Sequence, residues 1–251
     1  MSRTSELKPP ILLLGNVRSG TSMSMFSFDL HPNLCVWNEP RVVWTYADPK
    51  RRHDRFTEAD ATPRVQRYTR KRFLKYQREH GGLRVMEKTP SNVLRARYLH
   101  AIFPESRFMY IVREPLANLS SSEYWWRATI SRRKLLMRLR EVPKSQLHYY
   151  FGRFAQDFVL KRILKQRKQS VWGVRYPGIY EDLKRLTTEE VISKQWVNCT
   201  RFADEDLAQI PAELVIRVRY EDFVTSPVEV FGGVLDHFGE PMTDDIAKKL
   251  E

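Results

Sequence analysis

Residues 11–22, with the sequence ILLLGNVRSGTS, constrain the fold more than any other part of the chain. A short apolar run leads into a loop that contains Gly15 and Gly20, and a helix-like stretch follows it. A strand–loop–helix unit of this kind gathers backbone N–H groups and the N-terminal end of a helix around an anion. The segment therefore predicts a buried strand that leads into a phosphate-binding loop.

The residues of this loop indicate which anion it suits. The interval between Gly15 and Gly20 is that of the nucleoside triphosphate loop, in which Lys and then Ser or Thr follow the second glycine. Here Thr21 and Ser22 follow Gly20, and the cation is Arg18. The sequence therefore predicts a phosphate site that is poorly suited to ATP or GTP.

Apolar segments alternate with helix-like segments along the chain. Predicted strands are residues 11–14, 34–37, 83–87, 108–112 and 214–218. Predicted helices lie near residues 21–30, 64–79, 92–102, 115–126, 146–168 and 188–208. Short apolar strands between helices indicate an α/β fold of the P-loop type, with a mainly parallel β-sheet flanked by helices on both faces. At 251 residues, the chain is expected to form a single domain over residues 1–251.

The last long helix has recognisable signals at both ends. Residues 226–229, Ser-Pro-Val-Glu, match a capping box with proline at the first helical position. Gly239 is predicted to end this helix in a left-handed conformation.

Two segments hold most of the net charge of +13. Residues 50–84 contain twelve Lys or Arg against four acidic residues, and residues 127–169 contain thirteen against two. Neither segment shows an obvious core pattern. Such charge is typical of solvated helix surfaces or of a field that attracts polyanions. No zinc-ligand pairs or aromatic RNA-binding stretches accompany it, so nucleic acid is the less favoured partner.

Cysteine content and hydropathy bear on the compartment. Cys35 lies in an apolar run, and with Cys199 as the only other cysteine we expect a buried free thiol rather than a disulfide. The chain has no apolar signal region and no apolar run of roughly 18 residues. We expect a cytoplasmic protein without a membrane span, although a soluble fragment from the Golgi lumen is also compatible.

Ligands of parallel sheets bind beyond the carboxyl ends of the strands, so the residues there form the candidate site. They include three cations, Arg18, Lys88 and Arg113, and the carboxylate Glu39. A nucleoside triphosphatase would place Asp at a strand end to hold Mg²⁺, whereas here the strand FMYIV is followed by Arg113. The set predicts an anionic group donor and no metal site.

Five segments share their order and spacing with one enzyme family. They are GNVRSGTSM, HPNLCVWNEPRV, EKTPSN, FPESRFMYIVREPLANLSSS and VIRVRYEDFVTSP, and they extend over nearly the whole chain. Together they resemble the sulfotransferases that use 3′-phosphoadenosine 5′-phosphosulfate (PAPS), most closely the tyrosylprotein and heparan-type branch and its bacterial relatives. The first and fourth segments resemble the 5′-phosphosulfate and 3′-phosphate motifs of that family.

The resemblance implies which residues bind the donor. Arg18 would hold the 5′-phosphate and the bridging oxygen, within a cradle completed by Ser19, Gly20, Thr21 and Ser22. Arg113 and Ser121 would bind the 3′-phosphate, and their interval of eight residues favours Ser121 over its neighbours Ser120 and Ser122. Tyr220 would contact the nucleotide. The product would be adenosine 3′,5′-bisphosphate (PAP).

The resemblance also implies the catalytic residues. Glu39 would be the general base, and Lys88 would contact the transferring group together with Arg18. Sulfuryl transfer is an in-line displacement in which negative charge builds on the bridging oxygen, and cations stabilise that charge without a metal. In the alternative interpretation Glu39 only forms an ion pair with Arg41 or Arg113, and Lys88 one with Glu87 or Glu39.

The acceptor group is expected to be a hydroxyl or an amine, carried by a carbohydrate or a peptide. If the basic segments 50–84 and 127–169 flank the acceptor side of the cleft, the acceptor molecule is expected to be anionic. Two other functions stay open: an atypical P-loop kinase, and a non-catalytic polyanion-binding protein. A catalytic role for His31 or His148 is disfavoured, because Thr89 and Pro90 follow Lys88 where histidine-dependent relatives carry their histidine. Trp125 stands where the tyrosine-sulfating branch tends to have another arginine.

Overall fold

A computed structural model describes residues 6–127 and 171–250. Five strands form one sheet in the order β2-β3-β1-β4-β5, and every neighbouring pair is parallel. The strands are β1 (Ile11–Gly15), β2 (Leu34–Asn38), β3 (Arg84–Lys88), β4 (Arg107–Val112) and β5 (Val215–Arg219). All five predicted strands are confirmed, each within one residue at either end.

The described residues also form α-helices on both sides of the sheet. The first five are α1 (Thr21–Asp29), α2 (Arg41–Trp44), α3 (Pro63–Glu79), α4 (Ala96–Ile102) and α5 (Pro115–Arg127). The others are α6 (Ile179–Arg185), α7 (Thr188–Leu207), α8 (Tyr220–Thr225), α9 (Pro227–Phe238) and α10 (Asp244–Leu250). The predicted helix near 146–168 lies outside the described residues, as does nearly all of the basic segment 127–169.

Alternate residues of the central strand β1 pack on opposite faces of the sheet, as the two-residue period of a strand requires. Leu12 and Leu14 belong to a core that includes Trp44, Phe73 and Phe103. Ile11 and Leu13 belong to a second core that includes Phe28, Phe231 and Phe238. All four β1 side chains are fully buried, and each contributes about 2 kcal/mol to stability. The predicted parallel sheet with helices on both faces is confirmed.

The expectation that residues 50–84 lack a core pattern is wrong for α3. This helix buries Val65, Thr69, Phe73 and Gln77, which recur every four residues along one face. Two of the four are polar, and Lys or Arg residues flank the stripe, so hydropathy alone does not reveal it. The cations of α3 therefore lie on the remaining faces of a helix that is anchored in the core.

The predicted helix near 92–102 is divided into two parts. A 3-10 turn spans Pro90–Leu94, and α4 begins only at Ala96. Between them Arg95 has an extended φ of −154° and a buried side chain, which donates to Asn92 Oδ1 at 2.9 Å and to Ser91 Oγ at 2.8 Å. The arginine therefore ties the turn together instead of continuing a helix.

The predicted capping box at Ser226 is also wrong. The Ser226 N–H donates to the Asp222 carbonyl oxygen at 2.9 Å, which closes α8, and the Ser226 side chain makes no capping hydrogen bond. The Ser226 N–H is therefore already engaged and is not available as a donor to the Glu229 carboxylate. Gly239 does end α9 with a φ of 70°, and the Glu240 N–H donates to Leu235 O at 2.9 Å, as predicted for a glycine C-terminus.

Two smaller expectations can be compared with the structure. Cys35 is a buried free thiol, and burial raises its pKa to about 11, so the thiol stays protonated at neutral pH. No helix within the described ranges is long and apolar enough to cross a membrane.

Candidate active site

The sheet brings the predicted site residues to one edge in a defined order. Because all five strands are parallel, their carboxyl ends share that edge. Along it lie Glu39 after β2, Lys88 at the end of β3, Arg18 after β1, Arg113 after β4 and Tyr220 after β5. The strand order therefore places Lys88 between the Glu39 carboxylate and the loop that follows β1.

The loop after β1 is shaped by its two glycines. Gly20 has a φ of 88° and directly precedes α1, and a Cβ atom there would lie 2.3 Å from the Tyr220 ring. A Cβ on Gly15 would lie 2.4 Å from the Thr21 methyl group. Thr21 is buried beneath the loop, whereas Ser22 is exposed at the start of the helix. Only glycine therefore fits at either position, and the N-terminus of α1 faces the strand edge.

Arg18, Ser121 and Arg113 form one connected cluster. Arg18 Nε donates to Ser121 Oγ at 2.9 Å, and Arg113 Nη1 donates to the Arg18 carbonyl oxygen at 3.0 Å. The Arg113 guanidinium lies over the Tyr220 ring, 4.5 Å from its centre. Its Nε atom is buried and has no hydrogen-bond partner within the described residues. A buried donor left unpaired costs about 1–3 kcal/mol, so this cluster is suited to receive an anion.

The three consecutive serines of α5 have different surroundings. Ser121 contacts Arg18, whereas the Ser122 hydroxyl is buried and donates to Asn118 Oδ1 at 3.3 Å, and Ser120 is exposed. The helix thus turns Ser121 toward the phosphate loop. Its hydroxyl accepts from Arg18 and keeps its own proton free to donate to a ligand.

Asn118 has a structural role at this site that the sequence interpretation missed. Its side-chain amide donates to the Val17 carbonyl oxygen at 2.8 Å and to Ser19 Oγ at 3.1 Å, and it is almost fully buried. Ser19 is therefore held from below the loop, and its hydroxyl is directed toward α5. In the sequence, the sign of this role was the spacing of Asn118 from Ser121 and Ser122, which places all three on one face of the helix.

Trp125 replaces the expected arginine and lies beside Arg18. The Arg18 guanidinium is 5.4 Å from the centre of the Trp125 ring, which in turn stacks on Trp172 at 6.1 Å. A cation at this distance from an aromatic ring is attracted to it. The tryptophan pair therefore forms a wall that holds the Arg18 side chain near the loop.

Glu39 has a strained backbone that is fixed by neighbouring bonds. Among the described residues, only Glu39 (φ 55°) and Arg18 (φ 63°) are non-glycine residues with a positive φ. The Glu39 N–H donates to the Lys88 carbonyl oxygen at 2.8 Å, and the Arg41 N–H donates to Glu39 O at 2.7 Å across Pro40. Strain of this kind costs about 1–3 kcal/mol and occurs most often at functional sites.

The two carboxylate oxygens of Glu39 have different partners. Arg41 donates to Oε2 through Nε at 3.0 Å and through Nη2 at 2.7 Å. The Lys88 ammonium donates to Oε1 at 3.3 Å, and the Lys88 side chain is only 3% exposed. The Glu39–Arg41 and Glu39–Lys88 ion pairs of the alternative interpretation are therefore both present, whereas Arg113 bonds to the Arg18 carbonyl oxygen instead. Oε1 keeps a lone pair for a further donor.

The charges around Glu39 determine its ionisation. Burial raises the pKa of this carboxyl, but the charges of Arg41 and Lys88 and their hydrogen bonds lower it further than burial raises it. The net pKa lies below the usual value, so Glu39 is an ionised carboxylate at neutral pH. A carboxylate in this state can accept a proton.

Glu87 is a buried carboxylate behind the candidate site. It accepts hydrogen bonds from Trp44 Nε1 at 2.9 Å, Thr89 Oγ1 at 2.5 Å and Asn92 Nδ2 at 2.8 Å. Burial raises its pKa to about 7, in spite of these bonds. Because Trp44 ends α2 and Lys88 adjoins Glu87, this carboxylate links the segment after Glu39 to β3. A charged residue at the end of a predicted strand was the sequence signal available for this role.

Other candidates from the sequence are placed away from this chemistry. His31 is buried, and its Nε2 atom lies 2.9 Å from the Pro241 carbonyl oxygen. His148 lies outside the described residues. Within the described ranges, no three His, Cys, Asp or Glu side chains are grouped as metal ligands would be.

Comparisons with known proteins bear on the family and the fold. The family model described as "Sulfotransferase family" matches residues 9–167. None of the curated proteins matches the chain in sequence.

Several solved structures share the fold at low sequence identity. A sulfotransferase from Alicyclobacillus acidocaldarius aligns over 98% of this chain and 90% of its own, with 16% identity and a TM-score of 0.51. The sulfotransferase domain from the curacin biosynthetic pathway aligns over 96% and 77%, with 15% identity and a TM-score of 0.52. Sulfotransferase STF9 from Mycobacterium avium aligns over 98% and 67%, with 11% identity and a TM-score of 0.57.

Proposed function

The chain belongs to the sulfotransferase family, and on this premise we propose that it transfers a sulfuryl group from PAPS to a hydroxyl or amine acceptor. The observation that carries the proposal is the order of residues along the strand edge. Glu39 lies at one end, the anion-binding cluster of Arg18, Arg113 and Ser121 lies at the other, and Lys88 lies between them.

The anion-binding cluster supports PAPS as the donor. Arg113 Nε, which is buried and has no partner among the described residues, can donate to a phosphate, and the Ser121 hydroxyl, which accepts from Arg18, can donate beside it. We assign these two residues to the 3′-phosphate, and Arg18 with the backbone of residues 19–22 to the 5′-phosphosulfate. The Tyr220 ring, which packs so closely on Gly20 that a Cβ atom there would collide with it, is assigned to the nucleotide side.

PAPS supplies an activated sulfuryl group, and PAP is the leaving group. Glu39 Oε1 accepts the proton of the acceptor hydroxyl as the acceptor oxygen forms its bond to sulfur. The bond between sulfur and the bridging phosphate oxygen breaks, and its electron pair stays on that oxygen. Lys88 and Arg18 stabilise this negative charge electrostatically, so the residues themselves provide the cations that the displacement needs.

The ion pairs of Glu39 support its assignment as the base. Arg41 occupies Oε2 and thereby orients the carboxylate, while Oε1 has a lone pair available to an acceptor. Lys88 contacts the same Oε1 atom, so proton acceptance by Glu39 weakens its hold on the lysine. The ammonium is then released toward the developing charge.

Transfer of a radiolabelled sulfuryl group from PAPS tests the proposal. Acceptors of four kinds are supplied: a desulfated heparan-type glycan, an acidic tyrosine peptide, a simple phenol and a simple amine. We expect labelled product and stoichiometric PAP with at least one acceptor, and loss of both in Glu39→Gln. Phosphorylation of these acceptors with ATP and Mg²⁺ in place of PAPS would contradict the proposal, as would the absence of both PAPS turnover and PAP binding.

A further inference from the structure

A pocket of about 160 Å³ opens between the end of β2 and helix α3. Its apolar wall is formed by Trp37, Pro40 and Val43, and its polar wall by side chains of α3. A cavity of about 150 Å³ holds one benzene ring. The pocket therefore has room for a single six-membered ring.

The pocket adjoins the proposed base. Pro40, which forms part of the apolar wall, directly follows Glu39 in the chain. The Glu39 side chain is 29% exposed, so its carboxylate is accessible from outside the protein. The backbone therefore joins the apolar wall of the pocket directly to the proposed base.

The polar wall has an excess of positive charge. It contains Arg72, Lys75 and Glu79 from α3. Arg72 Nε is buried and has no hydrogen-bond partner in the described part of the chain. Lys75 and Glu79 form only a loose pair at 3.5 Å, and both side chains are more than half exposed, so their attraction is weak. A guanidinium with an Nε–H still able to donate is well suited to a carboxylate or sulfate group.

The apolar wall is rigid. The Trp37 ring is stacked on Tyr76 with their centres 4.5 Å apart, and its edge meets Phe73 at 5.1 Å. The Tyr76 hydroxyl is fixed in turn by donating to the Val36 carbonyl oxygen at 2.6 Å. A ligand that enters therefore meets a preformed surface, and little conformational freedom is lost on binding.

We propose that this pocket is an acceptor subsite that takes one ring carrying a carboxylate or sulfate group. The ring packs against the apolar wall, and Arg72 binds the anionic group. The inference rests on the proposed sulfotransferase function, because it names the class of acceptor that the same site selects. The ring belongs either to an acidic sugar unit or to an aromatic acid, and both share the required chemistry.

Ligand-observed NMR with small probes, in the presence of PAP, tests the pocket directly. The probes are glucuronate and benzoate, each compared with a neutral counterpart, glucose and benzyl alcohol. We expect at least one acid to bind more tightly than its neutral counterpart. Preference for glucuronate identifies an acidic sugar as the ring, and preference for benzoate identifies an aromatic acid.

Variants of α3 supply the matched controls. Arg72→Ala should weaken binding of the acidic probe at least about tenfold, and Glu79→Gln should tighten it because a negative charge is removed from the pocket wall. Lys71→Ala removes the same charge from an exposed position on the same helix, outside the pocket lining, and should leave binding unchanged. Arg72→Lys keeps the charge but lacks the Nε donor and should fall between Arg72→Ala and the wild type.

The outcomes separate this inference from the proposed function. Acids that bind no better than their neutral counterparts would overturn the acceptor subsite, as would equal effects of Arg72→Ala and Lys71→Ala. If Glu39-dependent sulfuryl transfer is still observed, only the subsite is wrong. If Arg72-dependent binding is observed without any PAPS turnover, the anion pocket stands and its role as an acceptor subsite is refuted together with the proposed function.

Discussion

Lys88 Nζ lies 3.3 Å from Glu39 Oε1, although the two residues are 49 positions apart in the chain. Their main chains are joined as well, because the Glu39 N–H donates to the Lys88 carbonyl oxygen at 2.8 Å. Side-chain and backbone bonds together hold Glu39 at its positive φ of 55°. The proposed proton acceptor and the proposed charge-stabilising cation are thereby fixed relative to each other before any ligand binds.

Replacing the proposed base should remove turnover and leave donor binding intact. We expect Glu39→Gln to lower kcat roughly 10²–10⁴-fold, because the amide cannot accept the acceptor proton. The dissociation constant for PAP should stay within about twofold. Steady-state kinetics measures kcat, and calorimetry measures the dissociation constant for PAP. Glu181→Gln, an exposed surface change of the same kind, is the control, and an active Glu39→Gln enzyme would refute the assignment.

Removing Arg41 should change the pH dependence of activity. The pKa of Glu39 lies below its usual value, so activity is present at neutral pH and is lost as the pH falls through that lowered pKa. Arg41→Ala removes a cation that lowers this pKa, and the acidic limb of the kcat/KM profile should move to higher pH. Arg185→Ala, an exposed helix position, should leave the limb where it is. If the acidic limb of the profile does not move in Arg41→Ala, the ionisation of Glu39 does not determine that limb.

Adding one methyl group to the phosphate loop should block the nucleotide side. Gly20 and Gly178 both have a positive φ, 88° and 92°, but a Cβ atom meets the Tyr220 ring only at Gly20. Backbone strain alone should cost Gly178→Ala about 1–2 kcal/mol of unfolding free energy. For Gly20→Ala we expect the unfolding free energy to fall by about 1–3 kcal/mol more than for Gly178→Ala, and PAP binding to be lost. Urea unfolding and PAP titration of both variants test this, and equal effects at the two sites would contradict it.

Stability should depend on the ionisation of Glu87. Its pKa is raised from 4.5 to about 7, so the folded state binds more protons than the unfolded state in this range, and stability falls as the pH rises through it. Glu87→Gln removes this dependence. The unfolding free energy of the variant relative to the wild type should rise by roughly 3 kcal/mol between pH 4.5 and neutrality.

Denaturant unfolding at several pH values measures this difference for Glu87→Gln. Any hydrogen bond that the new amide breaks shifts the whole curve without changing its slope. Parallel curves for the variant and the wild type would show that Glu87 does not titrate in this range.

The strands and the strand-edge site were predictable because local signals determine them. The apolar run FMYIV followed by Arg113 identified the end of β4, and the predicted strand 83–87 came within one residue of the observed end of β3 at Lys88. The assumption of a parallel sheet then brought those ends to one edge. The sequence also placed Glu39 at this edge without any knowledge of the strand order.

The remaining features depend on contacts between distant segments. The side-chain bond from Arg18 to Ser121 joins residues 103 positions apart, and the core stripe of α3 consists partly of polar residues. The predicted capping box at Ser226 does not form, because the Ser226 N–H that Glu229 would accept from already completes the preceding helix. None of these features follows from local propensity, since each depends on which neighbour the folded chain supplies.

Calorimetric titration of the wild type and of Arg113→Ala with PAP, and separately with ATP and Mg²⁺, distinguishes a PAPS-dependent sulfotransferase from an atypical kinase. We expect PAP to bind the wild type, ATP with Mg²⁺ to bind far more weakly, and Arg113→Ala to weaken PAP binding at least about tenfold through lost charged hydrogen bonds. Binding of ATP with Mg²⁺ in preference to PAP would refute PAPS as the donor, and unchanged PAP affinity in Arg113→Ala would refute Arg113 as a ligand of the 3′-phosphate.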